Sequence, residues 1–307
     1  RDGGEIENFR LGDSIPFADR PLLHRNFLIP VNLKAGAILR VFLKIKTSSA
    51  HKTKFAIHQL DSFWEADIRE VLILGSFYGI MFVMIIYNGY ISFSLRNKAY
   101  LFYVIYVFSN TLLAANINGL GYQYIWSDNP FFQARVTGFS GIMLWLGLSY
   151  FTIFFLDLEK KMPLAKKLIN IVTFFAVLSL PAVFFEPRLA MNFLQPVGLL
   201  GFLLCMIIGA LLIKESIEAR YYFFALLSYV AGMFLIILSN AGLIPTNLFT
   251  QSAYQVGMAI EVIILSLALA RNLKRLQEEK VVLQQNVAAN LKSKVDERTQ
   301  ELTIKTK

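Results

Sequence analysis

Long runs of apolar residues without charge dominate the chain from residue 71 onward. Such runs occupy residues 71–95, 99–117, 136–156, 168–185, 193–213 and 221–243, and a seventh run at 252–270 carries one charge, Glu261. A helix needs about 20 apolar residues to cross about 30 Å of hydrocarbon, and lipid offers no partners to open backbone groups. The pattern therefore predicts a membrane all-α fold, with a seven-transmembrane helix bundle over residues 68–271.

Residues 1–67 have a different pattern, with polar and basic positions and several Gly and Pro residues. Within 39–46, apolar residues alternate with other positions, which is typical of a half-buried β-strand. A second strand is predicted at 54–59. Three or four short strands bury little core alone. The segment is therefore predicted to be a partial extracellular β-sandwich.

The helical pattern continues beyond the last apolar run, with no Gly or Pro in between. Apolar residues recur there at spacings of four and three or seven, as in the seam of a coiled coil. One spacing of four stands where three is due, which locally unwinds a supercoil. We predict a cytoplasmic coiled coil over 272–307 that forms a homodimer through Leu269, Leu273, Leu276, Leu283, Val287, Leu291, Val295 and Leu302.

The distribution of positive charge predicts the orientation in the membrane. Basic residues cluster in alternate loops: Arg96, Lys98, Lys160, Lys161, Lys166, Lys167, Lys214, Arg220, Arg271, Lys274 and Arg275. The opposite loops hold only Arg135 and Arg188. Positively charged loops stay in the cytoplasm. We therefore expect a multi-pass protein of the bacterial inner membrane with a periplasmic N-terminus and a cytoplasmic C-terminus.

Composition excludes several classes of function. Charged residues make up 17% of the chain, against about 25% in soluble domains. The net charge of +9 forms no exposed basic stripe, so we expect no nucleic-acid partner. A single cysteine and three scattered histidines predict no metal site. Neither a phosphate-binding Gly loop nor a nucleophile elbow is present, so we expect no cofactor and no catalysis by this chain.

Glu261 is the polar residue that the pattern singles out, because a charged group inside the membrane is costly unless neutral or paired. Its predicted partners are Asn88, Asn110, Asn116 and Asn240. Two interpretations remain open. Glu261 is either a buried polar switch that responds to rearrangement of the bundle, or a protonated side chain that holds neighbouring helices together.

Three aromatic residues, Tyr122, Tyr124 and Trp126, lie in the first outer loop. Aromatic rings at this position are typical of the belt at the membrane–water interface. They are also our candidates for the rim of a ligand site, should a small molecule enter the outer cavity of the bundle.

Four stretches carry a resemblance to a known family. These are residues 20–30 (RPLLHRNFLIP) with the strand after them, 100–103 (YLFY) leading to 119–122 (GLGY), 265–271 (LSLALAR) and 295–302 (VDERTQEL). Together with the topology they resemble the bacterial seven-transmembrane receptors with diverse intracellular signalling modules, the 7TMR-DISM family. The resemblance covers nearly the whole chain. It implies that residues 1–67 are the C-terminal part of an extracellular jelly-roll domain that binds carbohydrate-like or other small ligands.

The resemblance implies a sensory receptor that passes a small-ligand signal through helix 7 and the coiled coil to a further cytoplasmic domain. We expect residues 1–307 to be the sensory part of a longer protein, with a diguanylate cyclase as output. A histidine kinase is the alternative, because the same linker precedes both. A membrane transporter is the other class considered. Against it, the sequence has no clear internal repeat, and Pro181 and Pro196 are predicted near helix ends.

Overall fold

The computed structural model describes residues 8–32, 36–46 and 55–305 of the chain. Within these residues, seven helical spans are long and apolar enough to cross a membrane. The helices that form and connect them are α1 Leu60–Leu95, α2 Lys98–Ile117, α3 Leu120–Tyr124, α4 Pro130–Phe155, α5 Leu158–Lys161, α6 Pro163–Leu178, α7 Leu180–Phe185, α8 Pro187–Leu212, α9 Ile217–Asn240 and α10 Leu248–Lys305. The seven-transmembrane all-α fold predicted from the sequence is confirmed.

Polar residues between the apolar runs fix where several helices begin. The side chain of Asn97 accepts the Ala99 amide at the start of α2, and that of Asn129 accepts the Phe132 amide at the start of α4. Pro130 follows Asn129 in the first turn, where a missing N–H costs nothing. Ser216 accepts the Ala219 amide in the same way at the start of α9. Each cap satisfies a backbone donor that the helix leaves open.

The two prolines of the fourth and fifth spans differ in their position within the helices. The fourth span is divided at Ser179 into α6 and α7, and Pro181 lies in the first turn of α7. Proline cannot donate the backbone bond that a continuous helix would need there. Pro196 lies inside α8 and not near its end. The expectation that both prolines would be near helix ends was therefore wrong for Pro196.

Two helices are longer than a membrane requires. At 1.5 Å per residue, the 36 residues of α1 extend about 54 Å and the 58 residues of α10 extend about 87 Å. The helix α1 begins well before the apolar run, so its first turns project from one end of the bundle. We call this the docking end, since the N-terminal segment lies against it. The opposite end holds the clustered Lys and Arg residues and is called the basic end.

Small residues let the central helices approach closely. A Cβ atom added at Gly147 of α4 would lie 2.5 Å from the backbone nitrogen of Tyr106 in α2. Likewise, one added at Gly257 of α10 would lie 2.6 Å from the carbonyl oxygen of Ser228 in α9. The helices α2 and α10 are thereby held deep in the bundle, where they share the main hydrophobic core.

The described residues of the N-terminal segment contain one 3₁₀ turn, Phe17–Asp19, and no β-strand. The predicted strand at 39–46 is exposed and irregular, and so are 55–59, the described part of the second. A strand is stable only when a neighbouring strand takes up its hydrogen bonds. No such neighbour lies among the described residues, so the alternating pattern is not sufficient to form a strand.

Candidate functional site

A strap formed by residues 13–26 docks on the bundle, and its central contact is Arg25. The guanidinium of Arg25 donates to Asp67 Oδ1 at 2.7 Å and to Glu70 Oε1 at 3.0 Å, both on the projecting part of α1. The side chain of Arg25 is 3% exposed and that of Asp67 is 11% exposed. Breaking a buried ion pair of this kind costs several kcal/mol, because one charge is left without its partner.

Burial alone disfavours the charged form of the Arg25 guanidinium. The hydrogen bonds to Glu70 and Asp67 outweigh that effect and raise the pKa of Arg25 above its ordinary value. Arg25 is therefore a permanent positive charge held between two carboxylates.

His24 strengthens the same contact. Its Nε2 lies 3.2 Å from Asp67 Oδ1, and its Nδ1 accepts the backbone amide of Asn26. The imidazole ring also packs edge-on against Phe63 and Trp64, with ring centroids 5.4 and 6.0 Å apart. Two consecutive strap residues thus contact about two turns of α1, from Phe63 to Glu70.

Arg20 organises the strap from within. It donates to the carbonyl oxygen of His24 at 2.8 Å, and its guanidinium lies between the rings of Phe17 and Phe27, 4.6 and 4.7 Å from their centroids. Burial lowers the pKa of Arg20 from its ordinary value, although Asp13 opposes the shift. Cation–π contacts and carbonyl acceptors replace the water that this cation has lost.

The strap also contacts the loop between α2 and α4. The amide of Phe17 donates to the Ser127 carbonyl oxygen at 3.0 Å, and the Tyr122 hydroxyl donates to the Ile15 carbonyl oxygen. Gly119 has a φ of 73°, and an added Cβ there would lie 2.9 Å from the Arg25 carbonyl oxygen. Glycine is required at this position by both the backbone conformation and the close approach of the strap.

The three aromatic candidates of the first outer loop are separated by the structure. Tyr122 and Trp126 are buried, the first beneath Phe17 and the second with its indole N–H donating to Gln133 at 2.6 Å. Tyr124 is 73% exposed. Two of the three rings therefore pack beneath or beside the strap, and Tyr124 alone points outward.

Inside the membrane, Glu261 lies in a polar cluster with tyrosines of α2. Its side chain is fully buried, and its Oε1 accepts the hydroxyl of Tyr106 at 2.7 Å. Its Oε2 has no hydrogen-bond partner among the described residues. The hydroxyl of Tyr103 donates to the carbonyl oxygen of the next residue, Val262. Two tyrosines of α2 thus contact consecutive residues of α10.

The asparagines predicted as partners of Glu261 do not hydrogen-bond with it. Asn88 of α1 donates to Ser266 of α10 at 3.1 Å. Asn110 is fully buried one turn beyond Tyr106 in α2, and Asn240 is exposed at the end of α9. None of these asparagines is a hydrogen-bond partner of Glu261 within the described structure. Asn116 donates to Thr137 at 2.6 Å, and Asn88 binds α10 just over one turn further along. Tyr106 was missed, although its recurrence with Tyr100 and Tyr103 at a spacing of three places polar hydroxyls on one helical side.

The basic end fixes α10 as it leaves the bundle. Arg275 of α10 lies 2.8 Å from Glu218 of α9, whose side chain is 14% exposed. Beyond this pair, the seam residues change from buried to exposed: Leu269 is 1% exposed, Leu276 is 37% and Leu283 is 64%. Leu302 lies in α10, but its side chain is outside the described residues. The apolar side of the emerging helix has no cover within the single chain as far as it is described.

The described residues contain no group of three His, Cys, Asp or Glu side chains close enough to hold a metal ion. Comparison with known families then decides the assignment. The family profile described as "7TM diverse intracellular signalling" matches residues 70–272, and the profile "7TMR-DISM extracellular 2" matches residues 1–59. The chain belongs to the 7TMR-DISM family. No curated protein and no solved structure matches it.

The two family matches assign the strap and the Glu261 cluster to different domains of the protein. The matched extracellular domain of this 7TMR-DISM protein includes the strap, and the matched transmembrane domain includes Glu261 and its contacts. The protein is a multi-pass transmembrane sensory receptor. The strap is thus a contact between the extracellular domain and the helices, and the polar cluster is a contact between α2 and α10 within the transmembrane domain.

Proposed function

We propose that this receptor transmits an extracellular small-ligand signal through the strap and α10 to a cytoplasmic output domain. One observation carries the proposal. The helix α10 is continuous from Leu248 to Lys305, so the residues that contact α2 and those of the exposed seam belong to one rod. A displacement of α10 inside the bundle would necessarily move the emerging seam.

The strap supplies the input to this rod. Arg25 and His24 bind α1, and Ser266 of α10 in turn hydrogen-bonds with Asn88 of α1. A ligand that moves the extracellular domain would therefore displace α1 before α10, because the strap contacts α1 directly. Coupling of this kind requires two states with different ligand affinity. A carbohydrate-like molecule bound to the extracellular domain is the ligand class that we propose.

Glu261 is the proposed switch between those states. Its Oε2 lacks a partner in the described arrangement, and a buried polar atom without a partner costs about 1–3 kcal/mol. A second arrangement of α2 and α10 that satisfies this atom would recover that cost, and it is the second state that we propose. The alternative role, a carboxyl that holds α2 and α10 together, is supported by its bond to Tyr106.

The output domain that we propose is a diguanylate cyclase on the cytoplasmic side of the inner membrane, with a histidine kinase as the alternative. The basic end would then face the cytoplasm, in accord with its clustered positive charge. Both kinds of enzyme work as paired domains, and the seam would hold two copies of this chain together. We propose that the chain itself is not an enzyme.

The experiment extends the chain through its natural downstream coding region and incubates membranes with labelled GTP or ATP. Cyclic dinucleotide from GTP is the expected product, whereas phosphate on the protein itself would identify a histidine kinase. If neither nucleotide gives a product, the receptor scheme is contradicted and transport is favoured. Uptake of fluorescent substrates into proteoliposomes would then measure transport.

Variants of the extended chain test the route of the signal. We expect Arg25→Gln and Glu261→Gln each to change the basal output several-fold, because each alters a contact on the route. Arg10→Gln removes an exposed charge from the same extracellular segment and is the control. If Glu261→Gln leaves both expression and output unchanged, the switch role is wrong and the packing role remains.

A further inference from the structure

A shallow, open depression of about 360 Å³, which we call the groove, follows the outer surface of α6 at the basic end of the bundle. All of its lining residues belong to that helix: Pro163, Lys166, Lys167, Asn170, Ile171 and Phe174. The opposite side of α6 buries Ala165, Ile169 and Thr173 against the bundle. The groove therefore faces away from the protein, toward the surrounding lipid.

The first half of the groove is polar and positively charged. Lys166 is 32% exposed and pairs with Glu159 at 3.0 Å. Lys167 is exposed, and no ion pair joins it to a described residue. Asn170 is also exposed, less than one turn further into the span, and no described residue hydrogen-bonds with its side chain. Its amide can therefore donate to a polar group from outside the chain.

The second half of the groove is apolar. Ile171 is 45% exposed and Phe174 is 62% exposed, and both lie within the span that crosses the membrane. A ligand that fills the whole groove must therefore carry a negative charge at one end and a hydrocarbon chain at the other. Free inorganic phosphate would fill the polar half only.

We propose that this groove binds an anionic phospholipid. Its phosphate lies against Lys167 and Lys166, its glycerol ester region accepts the Asn170 amide, and an acyl chain follows Ile171 and Phe174. Basic grooves at membrane helix ends bind anionic headgroups through the same charge complementarity. The site would anchor the linker between α4 and α6, independently of the route through α10.

Native mass spectrometry of the full chain in mild detergent tests the proposal, with phosphatidylglycerol and phosphatidylethanolamine as probes. We expect phosphatidylglycerol to bind more tightly, and Lys166→Gln/Lys167→Gln to weaken its binding by about tenfold or more. Lys160→Gln/Lys161→Gln removes the same charge from α5, outside the groove, and is the matched control. Millimolar inorganic phosphate should not displace the lipid.

Equal losses of phosphatidylglycerol binding in the two double variants would show that the lipid is attracted to the basic end as a whole. That result would overturn the proposed groove site. Equal binding of the two phospholipids, or displacement by inorganic phosphate, would overturn it as well. Lys167→Gln alone breaks no ion pair between described residues, so it carries the test if the double variant does not fold. Phe174→Ala should weaken the binding of phosphatidylglycerol and leave the binding of a short-chain analogue unchanged. Equal effects on the two lipids would contradict the acyl-chain contact.

Discussion

At the scale of single residues, two tyrosines of α2 offer a matched test of the polar cluster. Tyr106 and Tyr100 are both buried, but only the Tyr106 hydroxyl has a partner, Glu261, while that of Tyr100 has none among the described residues. Removal of a hydrogen-bonded buried hydroxyl costs about 1–3 kcal/mol, because its acceptor is left unsatisfied. We expect Tyr106→Phe to lower the thermal unfolding midpoint in detergent.

The control at the same scale is Tyr100→Phe, which removes an unpartnered hydroxyl from the same helix. We expect its unfolding midpoint to equal or exceed that of the unmodified chain. Similar losses in the two variants would mean that the bond between Tyr106 and Glu261 contributes little to stability.

Sequence reasoning identified Glu261 but not its partner. A single charge inside an apolar run is visible in the sequence, and so is its need for a buried polar neighbour. Which neighbour it meets depends on the rotation of α2 about its axis, and several polar residues compete on that helix. The strap was missed for a related reason: Arg25, Asp67 and Glu70 become partners only when α1 projects beyond the membrane.

At the scale of helices, the approach of α4 to α2 depends on Gly147. An added methyl group there would lie 2.5 Å from the Tyr106 nitrogen, whereas one added at Gly141 of the same helix would have no atom within 4 Å. Overpacking costs about 1–3 kcal/mol. We expect Gly147→Ala to lower the unfolding midpoint by several degrees and Gly141→Ala to leave it unchanged or raise it.

The seven spans were predictable because each needs only its own apolar residues, and lipid compels the helical backbone. Their ends were less predictable. The first span begins at Leu60 rather than near 71, since polar residues continue the same helix outside the hydrocarbon. The strand at 39–46 shows the opposite case, where a local pattern depends on partners that its own residues do not supply.

At the scale of the whole molecule, docking of the strap depends on Gly119. Gly119 and Gly242 have nearly the same φ, 73° and 75°, so alanine strains the backbone equally at both. Only at Gly119 does an added Cβ meet the strap, and at Gly242 no atom lies within 4 Å. We expect Gly119→Ala to loosen the strap and to expose the buried Arg25.

Limited trypsin digestion after Arg25 measures this loosening. The Gly119→Ala chain should be cut several-fold faster at that bond than the Gly242→Ala chain. Equal rates in both variants would show that the strap is held by α1 alone and that its contact with the α2–α4 loop is dispensable.

Assembly of two chains is the last property that the whole molecule predicts. The apolar seam of α10 is exposed from Leu276 onward, where the helix leaves the bundle. Burial of this apolar side requires a second helix. The chain has one cysteine, Cys205, which is buried inside α8. A disulfide between two chains would therefore form through a cysteine added to α10. We expect Leu283→Cys to form an intermolecular disulfide rapidly in membranes under mild oxidation. Gln285→Cys, two residues away and off the seam, should cross-link far more slowly, and equal rates would mean that the two copies meet by collision and not through a coiled coil.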